Sequence, residues 1–332
     1  MADIVVLGAG GWGIALALNA CRSGHTVTLW SPFEEEIAEI HRYGEHRRLL
    51  PGVPVPPSLP LTADLSCVTG AQLVIVAVPS FAVGETAARL RPYLSPETVV
   101  TCAAKGLEKH THRRLSQVIA AALPQNPVTV LSGPSHAEEV ARGIPTSLVS
   151  AGGHPAIDAV QEWLMNDTFR VYLNEDIVGV ELGGALKNAI ALAAGICDGM
   201  NLGDNTKAAL MTRGLAEIAR LGVAMGACAD TFAGLSGMGD LIVNCGSLHS
   251  RNHRAGMLIG QGMTPEAAVQ AVGTVEGYYV ASTARELAQE YGIEMPILEQ
   301  CCRICSGETD PARALAVLMG RPGRHEHDRA WM

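Results

Sequence analysis

The sequence has little of what a nucleic-acid-binding or membrane-spanning protein needs. Its 332 residues carry a formal net charge of -9, whereas binding to phosphate backbones needs clustered Lys and Arg. It has no uninterrupted apolar run of about 18 residues, and a strand-like run already begins at Ile4, which leaves no room for a secretory signal. We therefore expect a cytoplasmic protein with no nucleic-acid partner and no membrane insertion.

The sequence also lacks a disulfide framework and a metal-binding pattern. Its nine cysteines are an odd number without regular spacing. Cys301, Cys302 and Cys305 cluster, but no second Cys/His pair follows at zinc-finger spacing. Free buried thiols and no bound metal are expected.

The first half of the chain alternates short β-branched runs with segments of helical period, which is typical of βαβ units in a parallel sheet. The runs are mostly apolar, as strands buried on both faces should be. Five prolines between Pro51 and Pro60 predict a loop there. The predicted strands are residues 4–7, 26–30, 73–78, 99–103, 128–131 and 146–150.

After about Val178 the pattern changes to Ala, Leu, Ile and Met at helical spacing. Because single cores stop growing at about 250–300 residues, we expect two domains. The sequence predicts an α/β domain with a parallel sheet over residues 1–178 and an all-helical domain over residues 179–332. The predicted helices of the second domain include residues 182–196, 208–221, 265–272 and 283–291.

The first predicted strand leads into a glycine-rich turn, GAGGWG at residues 8–13, and then into a helical run. Gly8 permits a tight turn, Gly10 lets the backbone approach a pyrophosphate, and Gly13 allows the helix to pack closely. The helix N-terminus would face the anion. Strand, turn and helix together indicate a Rossmann-type dinucleotide-binding domain; the alternative is a glycine-rich turn without a ligand.

The end of the second predicted strand bears on the choice between NAD and NADP. An acidic residue there favours NAD through the ribose hydroxyls, and a basic residue favours NADP. The residues after Trp30 are Ser31, Pro32 and Phe33, which are neither acidic nor basic. Three glutamates at positions 34–36 are more typical of a solvated helical turn than of a ribose clamp, yet they would repel a 2′-phosphate. The sequence favours NAD and leaves NADP open.

Lys187 is the only charged side chain between Glu181 and Asp198, and its neighbours are mostly small or apolar. Burying an ammonium on such a helix costs several kcal/mol unless a partner compensates, so a purely structural purpose is hard to name. Lys187 is therefore the candidate for the chemistry. The alternative is a lysine near a helix start whose head reaches solvent.

Four polar islands, residues 104–108, 132–138, 237–241 and 250–252, occur where a loop would follow a strand or open a helix. Each alone could be a turn or a helix cap. Together with Lys187 they supply two lysines, one arginine and several hydroxyl or backbone donors, which suits a small phosphorylated carbonyl compound. Arg251 is the candidate for phosphate, because a planar guanidinium can bind two oxygens at once; the alternative is a surface arginine beside a turn.

Nine motifs resemble, in order and spacing, the NAD(P)-dependent glycerol-3-phosphate dehydrogenase family, from the glycine turn to about Glu299. The resemblance implies a Rossmann domain followed by a helical substrate-binding domain. It also implies reversible reduction of dihydroxyacetone phosphate to sn-glycerol 3-phosphate, the backbone precursor of phospholipids. The motifs are GAGGWG, AVPS, AAKGLE, SGPSHAEE, ELGGALKN, NTKAALMTRGLAEI, GLSGMGDL, SRN and VEGYYVA.

The resemblance also implies functional residues, position by position. Lys187 matches the family's catalytic lysine, and we assign it proton transfer to the carbonyl oxygen. Lys105 and Asp240 complete the expected catalytic set, Lys105 as a second cation nearby and Asp240 as the group that orients the head of Lys187. The substrate contacts implied are Lys105, Gly133, Ser135, Lys187, Asp240, Ser250, Arg251 and Asn252. The cofactor contacts expected, with those of the glycine turn, are Gly8, Gly10, Gly11, Trp12, Gly13, Phe33, Lys105, Ala137, Arg251 and Glu276.

The sequence departs from the family pattern in two places. Pro32 and Phe33 stand where family members often carry a basic residue, which weakens any expectation of NADP use. Asn244 stands where a threonine is usual, although an amide can still donate and accept hydrogen bonds.

Two other functions and several properties stay open at this point. A related two-domain dehydrogenase acting on a 3-hydroxy acid or a sugar acid would need a carboxylate site. A non-catalytic module that senses NAD(H) would need no proton donor, so Lys105, Lys187 and Asp240 together argue against it. The oligomeric state, with a homodimer as one alternative, and the direction of reaction in the cell are not decided by the sequence.

Overall fold

The computed structural model describes residues 1–109, 111–323 and 325–326. Contacts divide the chain into a first unit, Met1–Glu108 with Arg113–Ile177, and a second unit, Lys109–His112 with Val178–Met332. The predicted second domain, residues 179–332, therefore includes position 324 and positions 327–332, which lie outside the described residues.

The first unit contains one sheet, whose described strands are β1 (Asp3–Leu7), β2 (Thr26–Trp30), β3 (Leu61–Thr62), β4 (Leu73–Val76), β5 (Val99–Cys102), β6 (Val128–Ser132), β7 (Thr146–Ala151) and β8 (Phe169–Asn174). Their order across the sheet is β3-β2-β1-β4-β5-β6-β7-β8. Neighbouring strands run parallel except for the antiparallel pair of β6 and β7.

All six predicted strands are present, and the α/β class with a Rossmann-type, mostly parallel sheet is confirmed. The prediction that β7 runs parallel to its neighbours was wrong for its pairing with β6. An apolar run indicates that a strand is buried, but it does not indicate the direction in which the strand runs. The strand β8 was missed because Arg170 and Tyr172 point outward from it and interrupt its apolar run. The predicted loop from Pro51 to Pro60 contains neither helix nor strand.

Six helices accompany the described sheet: α1 (Gly11–Arg22), α2 (Glu34–Tyr43), α3 (Val83–Leu90), α4 (Leu115–Ala122), α5 (Ala137–Ala141) and α6 (Ala156–Leu164). Of these, α1 is buried along most of its length, and its Ile14 and Leu16 pack in one cluster with Ile4 and Val6 of β1. This apolar core fixes the glycine turn between β1 and α1.

The described part of the second unit is helical, as predicted. Its helices are α7 (Ile177–Gly199), α8 (Gly203–Ala224), α9 (Asp240–Gly246), α10 (Arg251–Gly260), α11 (Pro265–Val272), α12 (Glu276–Glu290), α13 (Pro296–Cys305) and α14 (Pro311–Met319). A short π-helical turn, Leu235–Gly239, leads directly into α9. Such turns are frequent at functional sites, which draws attention to Asp240.

Four glycines form a seam between α7 and α10: Gly195, Gly199, Gly256 and Gly260. A Cβ added at Gly195 would lie 2.0 Å from the carbonyl oxygen of His253, and one at Gly256 would lie 2.0 Å from that of Leu192. The backbones of the two helices are therefore in contact. Glycine permits this approach, because the distance between packed helices depends on the side chains at the contact.

By length and composition alone, α7 could cross a bilayer, but 89% of its apolar window is buried inside the protein. Buried core helices have the same length and composition, so α7 gives only weak support for a membrane span. Of its three charged residues, Glu181 and Lys187 are themselves buried, and Asp198 near its end is partly buried.

Candidate active site

The carboxyl ends of the central strands meet at one edge of the first unit's sheet. In the sheet register, Leu7 at the end of β1 pairs with Trp30 of β2 and with Val76 of β4, and Val76 pairs with Cys102 of β5. The turns that follow these strands therefore begin at the same edge. Ligands of open α/β sheets bind at this edge.

The glycine turn has the shape that a pyrophosphate requires. Gly8 has a φ of 114°, and a Cβ there would lie 2.9 Å from the carbonyl oxygen of Ala77. A Cβ at Gly13 would lie 1.8 Å from the carbonyl oxygen of Gly8, so α1 can pack here only with glycine. A Cβ at Gly10 would meet only the tip of Leu49, at 3.9 Å. Backbone N–H groups at the start of α1 thus have room for an anion beside Gly10, and the turn fits a dinucleotide.

Two other predicted cofactor contacts of the first unit, Trp12 and Ala137, lie around this turn. The indole Nε1 of Trp12 donates a hydrogen bond to the carbonyl oxygen of Ala103, 3.1 Å away, just beyond β5. Ala137 begins α5, and its Cβ lies 3.6 Å from a Cβ added at Gly11. Phe33 precedes α2 and is 65% exposed. Gly11, Trp12 and Ala137 are therefore brought together, whereas Phe33 lies at the end of β2.

The sequence predicts that the three glutamates after β2 are all solvated, and the structure shows that one of them is not. Glu34 and Glu35 are exposed, but Glu36 is partly buried and accepts hydrogen bonds from Ser31 Oγ at 2.5 Å and from His46 Nε2 at 3.1 Å. Burial alone would raise the pKa of Glu36, but the hydrogen bonds from His46 and Ser31 outweigh it and lower the pKa. A fixed carboxylate is therefore tied to the first residue beyond β2.

A second cluster of the first unit joins Lys105, Gly133 and Ser135, which follow β5 and β6. Lys105 Nζ donates to the carbonyl oxygen of Gly133 at 2.8 Å and to Ser135 Oγ at 3.4 Å. Ser135 Oγ donates to the same carbonyl oxygen at 2.9 Å. An ammonium and a hydroxyl held together in this way can bind an anionic oxygen.

In the second unit, Lys187 lies on α7 and is only 3% exposed, so its head does not reach solvent. Its Nζ lies 3.2 Å from Oδ2 of Asp240, which is fully buried at the start of α9. The π-helical turn before α9 lies close to α7, since a Cβ at Gly183 would be 3.1 Å from the carbonyl oxygen of Ser236. This packing brings the carboxylate to the lysine.

The segment at residues 250–252 opens α10. Ser250 is the N-cap, and its Oγ accepts a hydrogen bond from the backbone N–H of His253 at 3.3 Å. Arg251 is the first residue of α10 and is exposed, while Glu276 is the first residue of α12 and is partly buried.

Asn252 joins three helices. Its Nδ2 donates to Oδ1 of Asn188, the residue after Lys187, at 2.9 Å. Its Oδ1 accepts from the backbone N–H of Gly277, at the start of α12, at 2.8 Å. The structure thereby links the predicted substrate contact Asn252 to the helix that carries Lys187.

Sequence reasoning missed Asn188 as a partner of Asn252. It also missed the hydrogen-bonded group of Ser31, Glu36 and His46. A buried amide directly after the candidate lysine was the available signal for Asn188. No local pattern relates His46 to Glu36, because a loop and the end of a helix separate them. Among the described residues, no group of three or more His, Cys, Asp or Glu side chains is placed to hold a metal, and the nine cysteines are free thiols.

Family models cover most of the chain. The model of the NAD-dependent glycerol-3-phosphate dehydrogenase N-terminus matches residues 3–157, and the model of its C-terminus matches residues 176–316. The glycerol-3-phosphate dehydrogenase (NAD(P)+) of Desulfitobacterium hafniense is 51% identical over 328 residues, which are 98% of this chain and 93% of that protein. The same enzyme of Moorella thermoacetica is 52% identical over 327 residues, with 98% and 97% covered.

A solved structure supports the same family assignment. The crystal structure of glycerol-3-phosphate dehydrogenase from Coxiella burnetii superimposes with a TM-score of 0.92 at 41% identity, over 96% of this chain and 99% of that chain. At that identity and coverage, the sequence and the fold both indicate the same family. The chain belongs to the NAD-dependent glycerol-3-phosphate dehydrogenase family.

Proposed function

We propose that the protein reversibly reduces dihydroxyacetone phosphate to sn-glycerol 3-phosphate with NAD(P)H, and so supplies the backbone of glycerophospholipids. The observation that carries this proposal is the buried ion pair of Lys187 and Asp240 in a chain of this oxidoreductase family. Desolvating two charges costs several kcal/mol for each ion, so the pair is a poor way to gain stability and a good way to keep a proton donor in place.

The chemistry needs a proton where negative charge develops. A bound reduced dinucleotide supplies a hydride to the ketone carbon, and the carbonyl oxygen then gains charge. Lys187, as an ammonium, stabilises this oxygen and transfers a proton from Nζ to it; in the reverse direction the neutral amine accepts the proton. Asp240 holds the lysine head through its Oδ2.

We assign the substrate phosphate to Arg251 of the second unit, with Ser250 and Asn252 beside it. A guanidinium can bind two phosphate oxygens at once, and its position at the start of α10 adds backbone N–H groups to the same region. In the first unit we assign Lys105, Gly133 and Ser135 to substrate contacts. Holding a substrate by its phosphate also orients the ketone, which can remove up to about 7–11 kcal/mol from a barrier in ideal cases.

For the cofactor we propose contacts from the glycine turn, Trp12, Phe33, Lys105, Ala137, Arg251 and Glu276, with NAD preferred over NADP. The ionised Glu36, fixed by Ser31 and His46 at the end of β2, supports this preference, because it would repel a 2′-phosphate. Phe33 provides no cation to offset the repulsion. A Phe33→Arg variant should therefore improve the use of NADPH relative to NADH.

We further propose that residues 1–178 form the dinucleotide-binding Rossmann domain and residues 179–332 the helical substrate-binding domain, each with the individual contacts assigned above. A cytoplasmic location without membrane insertion is proposed as well. A homodimer is the assembly to test, by light scattering on the purified protein.

A spectrophotometric assay of the purified protein tests the proposal. NADH oxidation is measured with dihydroxyacetone phosphate and with a panel of keto acids, and NADPH is then substituted for NADH. We expect rapid oxidation with dihydroxyacetone phosphate alone and faster turnover with NADH than with NADPH. Preferred use of a keto acid would replace the proposal by the related dehydrogenase function, and no turnover with any ketone would favour an NAD(H)-sensing role.

A further inference from the structure

We propose that Asn244 is a positioning residue that fixes the carboxylate of Asp240 towards Lys187 and couples it to the start of α10. This inference rests on the proposed function, because it concerns the same proton donor. It assigns a role to a position where this chain differs from the family's usual threonine.

The amide of Asn244 is directed at Asp240, one helical turn earlier on α9. Its Nδ2 lies 2.8 Å from the backbone carbonyl oxygen of Asp240 and 2.8 Å from Oδ1 of the same residue. Both acceptors are oxygens, so the NH2 group must face them; the opposite amide orientation would place oxygen against oxygen. Each of the two amide hydrogens therefore has one acceptor.

This bonding leaves the two carboxylate oxygens of Asp240 with different neighbours. Oδ1 is held by Asn244, and Oδ2 lies 3.2 Å from Nζ of Lys187. The carboxylate cannot rotate without losing the hydrogen bond from the amide. The lysine head thus faces Oδ2 of a carboxylate held in a fixed direction, which is what a proton donor needs in order to meet a reacting oxygen reproducibly.

The other end of the amide reaches the opening of α10. Ser250 Oγ donates to Oδ1 of Asn244 at 3.3 Å, and the same Oγ accepts from the backbone N–H of His253 at 3.3 Å. Ser250 directly precedes Arg251, the proposed phosphate ligand. The chain of hydrogen bonds therefore runs from the capped N-terminus of α10 through Asn244 and Asp240 to Lys187, and its members from Ser250 to Lys187 are buried.

A threonine could make only part of this connection. A hydroxyl has one hydrogen, and in a helix it commonly donates that hydrogen to the carbonyl oxygen four residues earlier. At position 244 this would satisfy the backbone of Asp240 and leave its carboxylate without the hydrogen bond. The amide does both, and it also accepts from Ser250.

The test compares Asn244→Leu, which has a similar volume and no hydrogen-bonding group, with Asn244→Thr. The assay is reduction of dihydroxyacetone phosphate by NADH, with kcat, both KM values and the solvent deuterium isotope effect on kcat. A positioned general acid contributes 10²–10⁴-fold to a rate, so for Asn244→Leu we expect kcat to fall on the order of 10- to 100-fold. The KM for NADH should stay near its native value, and the isotope effect should rise as proton transfer becomes slower. Asn244→Thr should lie between Asn244→Leu and the native enzyme.

The matched control is Asn19→Leu in the first unit. Asn19 is also a fully buried asparagine, whose Nδ2 donates to the carbonyl oxygen of Leu164 at 2.9 Å, but it has no part in the proposed chemistry. Its loss should lower the thermal stability and leave kcat and the isotope effect unchanged, which separates a structural defect from a positioning defect.

A folded Asn244→Leu protein with native kcat and a native isotope effect would overturn the inference. If Asn244→Leu does not fold, Asn244→Thr decides: a lower kcat with a raised isotope effect supports the role, and native values of both exclude it. A native enzyme that does not reduce dihydroxyacetone phosphate removes the proposed function itself, an outcome distinct from an active native enzyme with an unaffected variant.

Discussion

Lys105 and Lys187 are both proposed to act on the same small substrate, yet their surroundings differ. Lys105 is partly buried and donates to a carbonyl oxygen and a hydroxyl, which are neutral acceptors. Lys187 is buried and lies against the carboxylate of Asp240. A neutral acceptor leaves the ammonium charge available to an anion, whereas a carboxylate stabilises and orients the ammonium itself.

The difference suggests a division of labour between the two lysines. We propose that Lys105 mainly binds the substrate and that Lys187 mainly donates the proton. Interactions that are equally strong in the ground state and the transition state change KM, and interactions made only in the transition state change kcat. Kinetics on variants of each lysine can therefore test whether the two roles differ.

The largest effect is expected for Lys187→Met. Removing the proton donor should lower kcat for dihydroxyacetone phosphate by about 10³-fold or more, whereas NADH binding, measured by fluorescence titration, should change little. The control is Lys207→Met, since Lys207 also lies in an ion pair, 3.0 Å from Asp198, but has no proposed catalytic role. Retained turnover in Lys187→Met would remove the proton-donor assignment.

Arg251→Ala should give the next largest effect, because it removes a charged hydrogen-bonding partner of the phosphate. Such bonds are worth about 1.5–3 kcal/mol, so kcat/KM for dihydroxyacetone phosphate should fall roughly 10- to 150-fold. The value for unphosphorylated dihydroxyacetone should hardly change. Equal losses with both ketones would contradict the phosphate assignment.

Lys105→Met tests the other half of the comparison. If Lys105 binds rather than donates a proton, the KM for dihydroxyacetone phosphate should rise by about 10-fold or more, with a smaller change in kcat. A fall in kcat as deep as that of Lys187→Met, with unchanged KM, would show that the two lysines are not divided in this way.

The smallest effect on activity is expected at a buried charge with backbone partners, Glu217 on α8, where the change concerns stability. Its carboxylate accepts hydrogen bonds from the backbone N–H groups of Ile297, at 2.9 and 3.1 Å, and Leu298, at 3.1 Å, at the start of α13. Burial raises the pKa of Glu217 to about 7 in spite of these bonds. The folded protein therefore binds this proton more tightly than the unfolded chain, where a glutamate titrates near ~4.3.

The contribution of Glu217 to stability is accordingly full below the unfolded pKa and is lost as the pH rises through about 7. The expected loss is at most roughly 4 kcal/mol in the free energy of unfolding. Glu217→Gln keeps an acceptor and cannot titrate, so urea denaturation between about pH 5 and pH 8 should show a flatter dependence than in the native protein. Parallel curves for the two proteins would refute this.

The fold of the first unit was largely predictable because its signals are local. Each of β1, β2, β4, β5 and β6 is a short apolar run, and the glycine turn directly follows the first of them. The antiparallel direction of β7 and the presence of β8 depend on pairing across the sheet, which no local pattern records. The two residues of β3 are too few to give a pattern at all.

The candidate site was predictable only in part. The apolar surroundings of Lys187 singled it out, but its partner Asp240 lies far along the chain and came from the resemblance of motifs. Asn244 was noticed as a departure, yet its contacts follow from the helical turn that places it next to Asp240. The fixed Glu36 was missed, since it depends on a loop folding back to bring His46 beside it.

The glycine seam between α7 and α10 limits how the substrate range of this enzyme can be redesigned. A methyl group at Gly195 or Gly256 would collide with a carbonyl oxygen, so a substitution at either position would force the two helices apart. Lys187 lies on α7 and Arg251 on α10, so such a substitution would displace one residue relative to the other. Engineering for longer substrates must therefore alter the loops and leave this helix pair intact.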